Sequence, residues 1–515
     1  MSRRLWALLL VLAFSIVMLT GCWEEPILED EDFIPTENAP QEESGTDSDA
    51  MQPTAFTLPY SSRQTLDPIT CSDGMQQVVG SLLYEGLFRL NRQLEPEAVL
   101  CGDYHYDPDT LTYTFTLRGG LTFSDGSAVT GEDVAATLRR AMTSERYRTR
   151  LYQVTSVTAS GSTVTVKLST PNTGLPALLD VPIVKAGTES SLVPIGTGPY
   201  QLTAGEDGTA SLTPNPYWTG GRVPLESGCL SEASDRDTML YQFSSHDIQL
   251  ITTDLTGTDP ITATGNISYQ DADTTVLQYI GFNTQKAPFD QAALRTALAA
   301  GIDRSSIIGA FLSGHAAAAQ SPVSPVSPLY PSSLDTPYSY DDFANAMALA
   351  GYDTGAERTA TLLVNEENAF KVSVAKYLAS TLSAFDLKLE VRVLPWEEYT
   401  AALAAGDFDL YYGEVKLTAD WNLIRLVGTS GSLKDGGWSS VQTDLLLSQY
   451  ASATDRAAAL EALCAHLRQQ APIVPVGFKA TSVLVQSGVA EALTPTMTEP
   501  FYGLSSCVFH LREGS

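Results

Sequence analysis

The chain alternates between strand and helix patterns from Arg358 to Glu414, where it reads RTATLLVNEENAFKVSVAKYLASTLSAFDLKLEVRVLPWEEYTAALAAGDFDLYYGE. TATLLV is rich in β-branched residues and LKLEVRVL alternates with period two, so both predict strands. Between them, apolar Val374, Leu378 and Leu382 recur every four residues and predict a helix. WEEYTAALAA predicts a second helix that ends at Gly406, and FDLYYGE predicts a third strand. This β-α-β-α-β order predicts a parallel sheet, because right-handed crossovers join its strands.

The same unit predicts where a ligand binds. Ligands of open α/β sheets collect beyond the carboxyl ends of the parallel strands. The chain that leaves the third strand, Glu414 to Asn422, reads EVKLTADWN and is rich in charged and aromatic side chains. We therefore expect one wall of a binding site here. Glu414 and Lys416 are interpreted as surface residues or as a mutual ion pair.

The N-terminal segment is typical of an exported lipoprotein. Two arginines precede an apolar run from Leu5 to Met18, which is shorter than the about 20 residues of a membrane span and fits a secretory signal. The run closes on LTGC, which resembles the lipobox of bacterial lipoproteins. This resemblance implies a signal peptide over residues 1–21 and a lipidated Cys22. An ordinary signal peptide with a chance cysteine is the alternative.

Residues 22–50 form the most acidic part of a strongly acidic chain. Trp23 to Ala50 contains eleven Asp or Glu residues and no Lys or Arg, so it predicts a disordered tether behind the lipid anchor. The whole chain has a formal net charge of −30 at pH 7. Such a charge repels phosphate backbones and excludes a nucleic-acid partner.

Sequence signals of catalysis and metal binding are sparse. The chain lacks the serine-hydrolase elbow, the H-E-x-x-H zinc motif and the phosphate-binding P-loop. Its five histidines are dispersed, and no C-x-x-C pair occurs among Cys71, Cys101, Cys229, Cys464 and Cys507. We expect no enzyme activity, no cofactor and no metal site, although a glycosidase-like carboxylate pair stays open. IGTGPY, residues 195–200, is interpreted as a tight turn.

Several segments in order resemble family 5 of the extracellular solute-binding proteins, the oligopeptide- and dipeptide-binding components of ABC importers. They are LDPIT (66–70), YEGLFRLN (84–91), YTFTLRGGLTFSDGSAVTGEDVAATLRRAM (113–142), IGTGPYQL (195–202), NPYW (215–218) and LQYIGFNTQKAPFDQAALRTALAAGIDRSSII (277–308). An A-x-x-L-A-G-Y-like ending at Tyr352 follows. Each segment is weak alone, and the ordered series is specific.

The resemblance implies a fold as well as a function. It implies an α/β, two-lobed, periplasmic-binding-protein-like fold of type II, in the large peptide-binding cluster. Two crossing strands, near Asp271–Gln278 and Pro472–Lys479, would form the hinge. The first lobe would be discontinuous, with residues 51–273 and 476–515, and the second lobe would span residues 274–475. The lobes would close on a ligand between them.

The resemblance also implies a contact for the peptide amino group. In peptide-binding members an aspartate at this position accepts the ligand's α-ammonium group, and Asp420 in TADWN matches it in order and context. A partly desolvated carboxylate makes short charge-assisted hydrogen bonds to an ammonium. Trp421 and Tyr412 would supply the apolar wall, with Thr418 and Asn422 beside them. The alternative is that Asp420 caps a helix that begins at Trp421.

Two further loops are candidates for ligand contact. Cys71, Ser72 and Asp73 follow the LDP motif, and the alternative is that Ser72 and Asp73 only begin the helix pattern DGMQQVVGSLL. Asn365 and Glu366 follow the strand TATLLV, where dipeptide-selective members tend to carry a basic residue. The acids Glu366 and Glu367 at this point favour longer peptides or a cationic ligand. They are equally compatible with exposed charges at a helix start.

These expectations add up to a peptide-binding lipoprotein on the outer face of the cytoplasmic membrane. Its partners would be a peptide, with an oligopeptide favoured, the permease and ATPase subunits of an ABC transporter, and the membrane through the lipid anchor. We expect a monomer. A ligand of another kind, such as a nickel chelate, haem or a sugar, is the first alternative. A surface-anchored hydrolase and a sensor that presents ligand to a receptor are the others.

Overall fold

A computed structural model describes residues 52–204, 209–261 and 266–512 of the chain. The predicted signal peptide, Cys22 and the acidic tether lie outside the described residues. The α-helices run Gly74–Leu83 (α1), Gly131–Ala141 (α2), Arg236–Ser244 (α3), Ala292–Ala300 (α4), Arg304–Phe311 (α5), Tyr340–Leu349 (α6), Ala369–Leu382 (α7), Trp396–Ala405 (α8), Ile424–Val427 (α9), Val441–Ser452 (α10) and Arg456–Gln470 (α11).

The strands of the first part of the chain build the smaller sheets. They run Thr57–Tyr60 (β1), Phe88–Leu90 (β2), Pro96–Ala98 (β3), Cys101–Asp107 (β4), Thr112–Leu117 (β5), Val154–Ser160 (β6), Thr163–Leu168 (β7), Tyr200–Ala204 (β8), Ala210–Pro214 (β9) and Gly228–Glu232 (β10). Two four-stranded sheets result, with strand orders β1-β10-β9-β8 and β4-β5-β7-β6, beside the β2-β3 hairpin.

A seven-stranded sheet contains most of the remaining strands. They run Leu250–Thr253 (β11), Ile267–Phe282 (β12), Ala316–Ala318 (β13), Arg358–Asn365 (β14), Leu387–Leu394 (β15), Leu410–Lys416 (β16), Ile473–Gln486 (β17), Ala490–Glu491 (β18) and Val508–Phe509 (β19). The sheet order is β11-β17-β12-β16-β14-β15, with β13 paired to β17, while β18 and β19 pair separately.

The predicted β-α-β-α-β unit is confirmed. β14 pairs in parallel with both β15 and β16, and helices α7 and α8 make the two crossovers. Helix α8 ends at Gly406, whose φ of 67° is left-handed and suits a residue without a Cβ. Leu362 and Val364 enter one hydrophobic core and Leu363 enters another, so both faces of β14 are covered. Burial on both faces is typical of parallel strands.

Strands β12 and β17 tie distant parts of the chain together. They pair antiparallel from Ile267 opposite Gln486 to Gly281 opposite Ile473. The ladder is interrupted after Asp273, which lies opposite Ala480. The two segments that the sequence identified as crossings are thus paired with each other. The lobe boundaries themselves stay a prediction.

Helix caps agree with the sequence patterns. Thr130 and Asp133 form the reciprocal capping box at α2, and the side chain of Asp303 accepts the backbone N–H of Ser306 at α5. Helix α4 ends at Gly301, as its sequence predicts. Caps of this kind depend on residues within one turn of the helix end, so the local sequence is sufficient to predict them.

The glycines of IGTGPY make a close contact between chain segments. The Gly198 N–H donates to the carbonyl of Leu83 at 2.9 Å, at the end of α1. A Cβ on Gly198 would lie 2.5 Å from the carbonyl oxygen of Leu82. Backbone approach of this kind excludes every side chain, so the glycine is needed for packing.

The substitution Gly198→Ala tests this contact. We expect it to lower the free energy of unfolding by roughly 1–3 kcal/mol, because the methyl group must displace backbone. Gly119→Ala is the matched control, since a Cβ there meets nothing within 4 Å. Both changes restrict the unfolded chain equally. Equal midpoints of the two variants in thermal unfolding would show that the close approach does not matter.

Candidate ligand-binding site

A cavity of about 560 Å³ lies where several distant parts of the chain meet, and we call it the Arg150 cavity. Its wall includes the flank of α1, the turn after α2, the segment that leaves β16, positions on β11, β12 and β17, and the loop before Pro500. The residues that line it include Cys71, Gln77, Arg146, Tyr147, Arg150, Asp180, Lys416, Thr418, Met497 and Glu499. The segment after β16 is therefore one wall of a cavity, at the end of the sheet where topology predicts a site.

Arg146 and Arg150 lie on one side of the turn that follows α2. The backbone there turns like a helix, with the N–H of Arg150 donating to the carbonyl of Tyr147 at 3.0 Å. The Tyr147 ring is buried, and the guanidinium carbons of Arg146 and Arg150 lie 5.3 Å and 4.9 Å from its centroid. Cation–π contact with this one ring helps to hold the two arginines in place.

The two guanidinium groups differ in their hydrogen bonds. Arg146 donates to the carbonyl of Cys71 at 3.0 Å and to Oε1 of Gln77 at 3.1 Å. Arg150 Nη1 lies 2.8 Å from Oδ1 of Asp180, a carboxylate that is 4% exposed. Nε and Nη2 of Arg150 are buried and have no hydrogen-bond partner among the described residues. Arg150 therefore has an unused donor edge.

Lys416 is the last residue of β16 and adds a third cation to the cavity wall. Within the described part of the chain, no carboxylate lies within 4 Å of its ammonium group. Burial lowers the pKa of this ammonium, and the positive charges of Arg150 and Arg146 lower it further. The strand end is fixed by Thr275, whose hydroxyl donates to the carbonyl of Leu417 at 2.7 Å.

Glu499 stands on the acidic side of the cavity. Burial raises the pKa of this carboxyl to about 7, against the opposing effect of the nearby Arg89. The neighbouring acids Glu85 and Asp180 raise it further. Near neutral pH, Glu499 is thus divided between its protonated and ionised forms.

Asp420 lies next to the cavity wall and is itself 2% exposed. Its Oδ2 accepts from Nδ2 of Asn172 at 2.9 Å, and its Oδ1 accepts from the Thr418 hydroxyl at 2.5 Å. The backbone N–H of Asn422 is a weaker donor to the same oxygen at 3.3 Å. Both carboxylate oxygens therefore have protein partners in this conformation, and the ammonium contact stays a prediction.

The alternative helix-cap role of Asp420 is wrong. Helix α9 begins at Ile424 rather than at Trp421, and its N-cap residue is Leu423. Asn422 supports the start of α9, since its Oδ1 accepts the N–H of Ile424 at 3.1 Å. Trp421 has a positive φ of 52°, which takes it out of helical geometry. Asp420 instead joins the turn before α9 to the loop that contains Asn172.

The predicted aromatic wall is buried in the core. Tyr412 is 0% exposed, and its hydroxyl donates to Oε1 of Gln278 at 2.6 Å. Trp421 is 1% exposed, and its indole N–H donates to Oγ of Ser327 at 3.1 Å. Neither ring lines the Arg150 cavity, and each is part of a hydrophobic core.

The three candidates after the LDP motif have different positions. Cys71 lines the Arg150 cavity, and burial raises the pKa of its thiol. Asp73 is the N-cap of α1, where its side chain accepts the N–H of Gln76 at 2.9 Å. Ser72 is exposed and does not line the cavity. The interpretation of Asp73 as a helix start is confirmed.

The candidates after β14 lie at a smaller cavity of about 370 Å³, which we call the Lys371 cavity. Asn365 lines it and donates to Oε2 of Glu367 at 2.9 Å. Glu367 also accepts the N–H of Trp396, so it supports the start of α8 rather than that of its own helix. Glu366 is exposed and lines neither cavity.

Glu414 and Lys416 are both exposed, so their interpretation as surface residues is confirmed, and the alternative of a mutual ion pair is wrong. Oε2 of Glu414 lies 3.5 Å from the ammonium groups of both Lys371 and Lys479. These lysines are 8% and 4% exposed, and buried ammonium groups need nearby acids for charge balance. Glu414 serves both of them, and Asp254 also pairs with Lys479. Glu414 therefore belongs to the Lys371 cavity and Lys416 to the Arg150 cavity.

Sequence reasoning missed the cations of the Arg150 cavity. The segment ERYRTR, residues 145–150, places three arginines within six positions of a chain with twice as many acids as bases. That local excess of positive charge was an available signal. No comparable sequence signal indicated that Asp180 and Glu499 line this cavity, because neither lies near its cations in the sequence.

Metal and membrane features are limited in the described ranges. There, no group of three or more His, Cys, Asp or Glu side chains is placed to hold a metal ion. The five described cysteines are free thiols, and all but Cys229 are buried. No helix of the described residues has the length and apolar character needed to cross a membrane.

Comparison with known proteins identifies the family. The model of the bacterial extracellular solute-binding proteins, family 5 Middle, matches residues 95–422. The chain belongs to family 5 of these proteins. Among its relatives, the glutathione-binding protein GsiB of Salmonella paratyphi A is 28% identical over 324 residues, which cover 60% of this chain and 63% of the relative. GsiB of Pectobacterium atrosepticum is 27% identical over 429 residues, with 76% and 82% covered.

Solved structures of other binding proteins share the fold of this family 5 member. The nickel ABC transporter protein of Bacillus halodurans has a TM-score of 0.72 at 19% identity, and the match covers 87% of this chain and 98% of that one. The oligopeptide-binding protein AppA of Bacillus subtilis, in complex with a nonapeptide, has a TM-score of 0.59 at 19% identity, with 89% and 100% covered. The predicted type II periplasmic-binding-protein fold is confirmed.

Glu499 gives this family 5 member a testable pH dependence. The folded protein keeps a proton on Glu499 that the unfolded chain releases near pH 4.5, so stability falls as pH rises from there through about 7. Each pKa unit corresponds to about 1.4 kcal/mol. The variant Glu499→Gln lacks this titration. We expect its free energy of unfolding, measured relative to that of the native protein, to be higher at pH 8 than at pH 5 by roughly 1–3 kcal/mol.

Thermal and denaturant unfolding at the two pH values measure this difference. Glu95→Gln is the matched control, because Glu95 is exposed and does not line the Arg150 cavity. An equal effect of Glu499→Gln at pH 5 and pH 8 would contradict the assignment of a raised pKa to Glu499.

Proposed function

We propose that this protein is a lipid-anchored extracellular solute-binding protein that captures peptides between two lobes and delivers them to the permease of an ABC importer. Family membership supports this proposal. The relatives named for glutathione binding are specific for a small peptide-like solute. Cys22 would hold the protein on the outer face of the cytoplasmic membrane, with residues 22–50 as the tether.

The observation that carries the proposal is the composition of the Arg150 cavity wall. Under the predicted boundaries, Cys71, Arg150 and Glu499 belong to the first lobe, while Lys416 and Thr418 belong to the second. A volume of about 560 Å³ lies within the roughly 300–1,000 Å³ typical of small-molecule sites. This volume favours a short peptide over the longer peptides that Glu366 and Glu367 suggested.

Hydrogen bonds also join the two proposed lobes outside the lining of this cavity. Asn172 donates to Asp420, and the N–H of Thr173 donates to the carbonyl of Ala451 at 3.0 Å. Near the paired strands β12 and β17, Asn368 donates to the carbonyl of Thr256 at 3.0 Å. We infer that these contacts form when the lobes close, with residues 51–273 and 476–515 in one lobe and 274–475 in the other.

The ligand that copurifies with the protein tests the proposal. Native mass spectrometry of the mature chain, purified without denaturation, should detect bound peptides of a few residues. Calorimetry with a mixed tripeptide library should then give saturable heat. A bound nickel chelate, haem or sugar with no peptide would contradict the proposal, and turnover of peptides on incubation would indicate a hydrolase.

A second experiment tests the proposed ammonium contact of Asp420. If this carboxylate holds the peptide α-ammonium, Asp420→Ala removes a charge-assisted bond of about 1.5–3 kcal/mol. N-acetylation of the peptide should then reduce affinity for the native protein by a similar amount. Calorimetry with free and acetylated forms of one tripeptide measures both effects.

Asn172→Ala is the matched control for Asp420→Ala. It removes the same hydrogen bond between the proposed lobes but leaves the carboxylate in place. If affinity falls only because this hydrogen bond between the lobes is lost, both variants should bind more weakly, and equally so for the free and the acetylated peptide. Equal binding of free and acetylated peptides by the native protein would show that Asp420 does not hold the α-ammonium group.

A further inference from the structure

A cavity of about 230 Å³ adjoins the Arg150 cavity, and we call it the Met239 pocket. Helix α1, strand β11 and the beginning of α3 form most of its wall. Its apolar lining includes Met75, Val78, Met239, Leu250, Ile251 and Ile261. Under the predicted boundaries all of these residues belong to the first lobe, so the pocket lies within one lobe and not between the two.

The surface of the Met239 pocket suits an apolar group. Met75, Met239 and Ile261 keep 8%, 7% and 9% of their surface accessible. Two of these residues are methionines, whose unbranched and flexible side chains adapt their shape to different apolar groups. Apolar surface of this kind gains free energy when a ligand covers it.

The charged side chains in the wall of the Met239 pocket already have partners in the protein. Asp73 and Asp235 are the N-caps of α1 and α3, and each carboxylate accepts a backbone N–H, at 2.9 Å and 2.8 Å. Arg236 forms an ion pair with Asp259. The charges of this wall are therefore used within the fold, which favours an apolar occupant over a charged one.

The Met239 pocket and the Arg150 cavity share part of their walls. Gly74, Val78 and Thr252 line both. Gly74 and Val78 are four residues apart on α1 and therefore lie on one face of the helix. Thr252 lies on β11, which packs against α1. The two cavities thus adjoin where α1 faces β11.

Gly74 leaves open space at this junction. A Cβ on Gly74 would meet no atom within 4 Å, and the φ of this residue lies outside the left-handed region. Neither the backbone conformation nor the packing of the protein therefore requires glycine at this position. What the glycine provides is space in the wall that the two cavities share.

We propose that the Met239 pocket receives one apolar side chain of a peptide that lies in the Arg150 cavity, with the passage at Gly74. This inference rests on the proposed function as a peptide-binding protein and specifies its substrate class, namely peptides that contain a leucine, methionine or phenylalanine side chain. The shared wall favours a ligand side chain over a segment of another protein, because a ligand in the Arg150 cavity lies next to the junction.

Capture of a defined tripeptide library by the mature full-length protein tests this inference. The library varies each position among glycine, serine, aspartate, lysine, leucine, methionine and phenylalanine, and mass spectrometry identifies the peptides retained. We expect enrichment of an apolar side chain at one position. In calorimetry, the analogue with glycine at that position should bind roughly 10- to 100-fold more weakly, because it buries no side chain in the pocket.

Two substitutions change the pocket from opposite ends. Gly74→Leu places a side chain in the junction, and Met239→Gln makes the pocket polar with a side chain of similar length. Met239 does not line the Arg150 cavity, so its substitution leaves the lining of that cavity unchanged. In both variants we expect loss of the preference for the apolar tripeptide over its glycine analogue, because the apolar side chain no longer reaches an apolar surface.

Gly309→Leu and Met142→Gln are the matched controls, and both should keep the native preference. A Cβ on Gly309 also meets nothing within 4 Å, and neither control residue lines the Met239 pocket or the Arg150 cavity. An unchanged preference in Met239→Gln would overturn the inference. This variant decides the question alone if Gly74→Leu does not fold.

The library also separates this inference from the proposed function. Capture of peptides without enrichment of apolar side chains would overturn the inference and leave the proposed function intact. Capture of no peptide would overturn both. A changed oligomeric mass of Met239→Gln, with the peptide preference unchanged, would assign the pocket to contact with a second copy of the chain and overturn the inference.

Discussion

The backbone ladder between β12 and β17 is the interaction on which the other features depend. It joins Ile267–Phe282 to Ile473–Gln486, segments about two hundred positions apart in the sequence. β16 then pairs along the other edge of β12, with Lys416 opposite Val276. That register places the end of β16 beside residues of β11, β12 and β17 in the wall of one cavity. A slip of one residue would turn each side chain to the opposite face of the sheet.

The distribution of charge separates two regions beside this ladder. At the Lys371 cavity, Glu414 lies between Lys371 and Lys479, and these buried lysines have an acid for compensation. At the Arg150 cavity, cations outnumber acids and the Nε–Nη2 edge of Arg150 lacks an acceptor in the described part of the chain. Buried charges of the first kind stabilise a fold only when they are paired. The Nε and Nη2 atoms of Arg150 are buried donors, and buried donors normally have an acceptor.

Most of the local structure was predictable from the sequence. The β-α-β-α-β unit, the capping box of Thr130 and Asp133, and the helix end at Gly406 depend on residues close together in the chain. The ligand site was predictable in part. The chain after β16, which topology indicated, lines a cavity together with Cys71, and Thr418 is part of that lining. Ligand contact by these residues stays a prediction. The same reasoning did not predict the hydrogen bond between Asp420 and Asn172, because Asn172 lies 248 positions away in the sequence.

The sequence by itself determined the family, the parallel sheet unit and the acidic character of the chain, because ordered motifs, periodicity and composition are properties of neighbouring residues. The tertiary structure alone decided which charges meet. Arg150 approaches Asp180, Lys416 faces the same cavity, and Glu499 enters from the C-terminal part of the chain. It also decided that Asp420 bonds to Asn172 and that Glu414 pairs with two lysines. The physical reason is that hydrogen bonds and ion pairs depend on distances of a few ångströms in space, and separation along the chain does not reveal those distances.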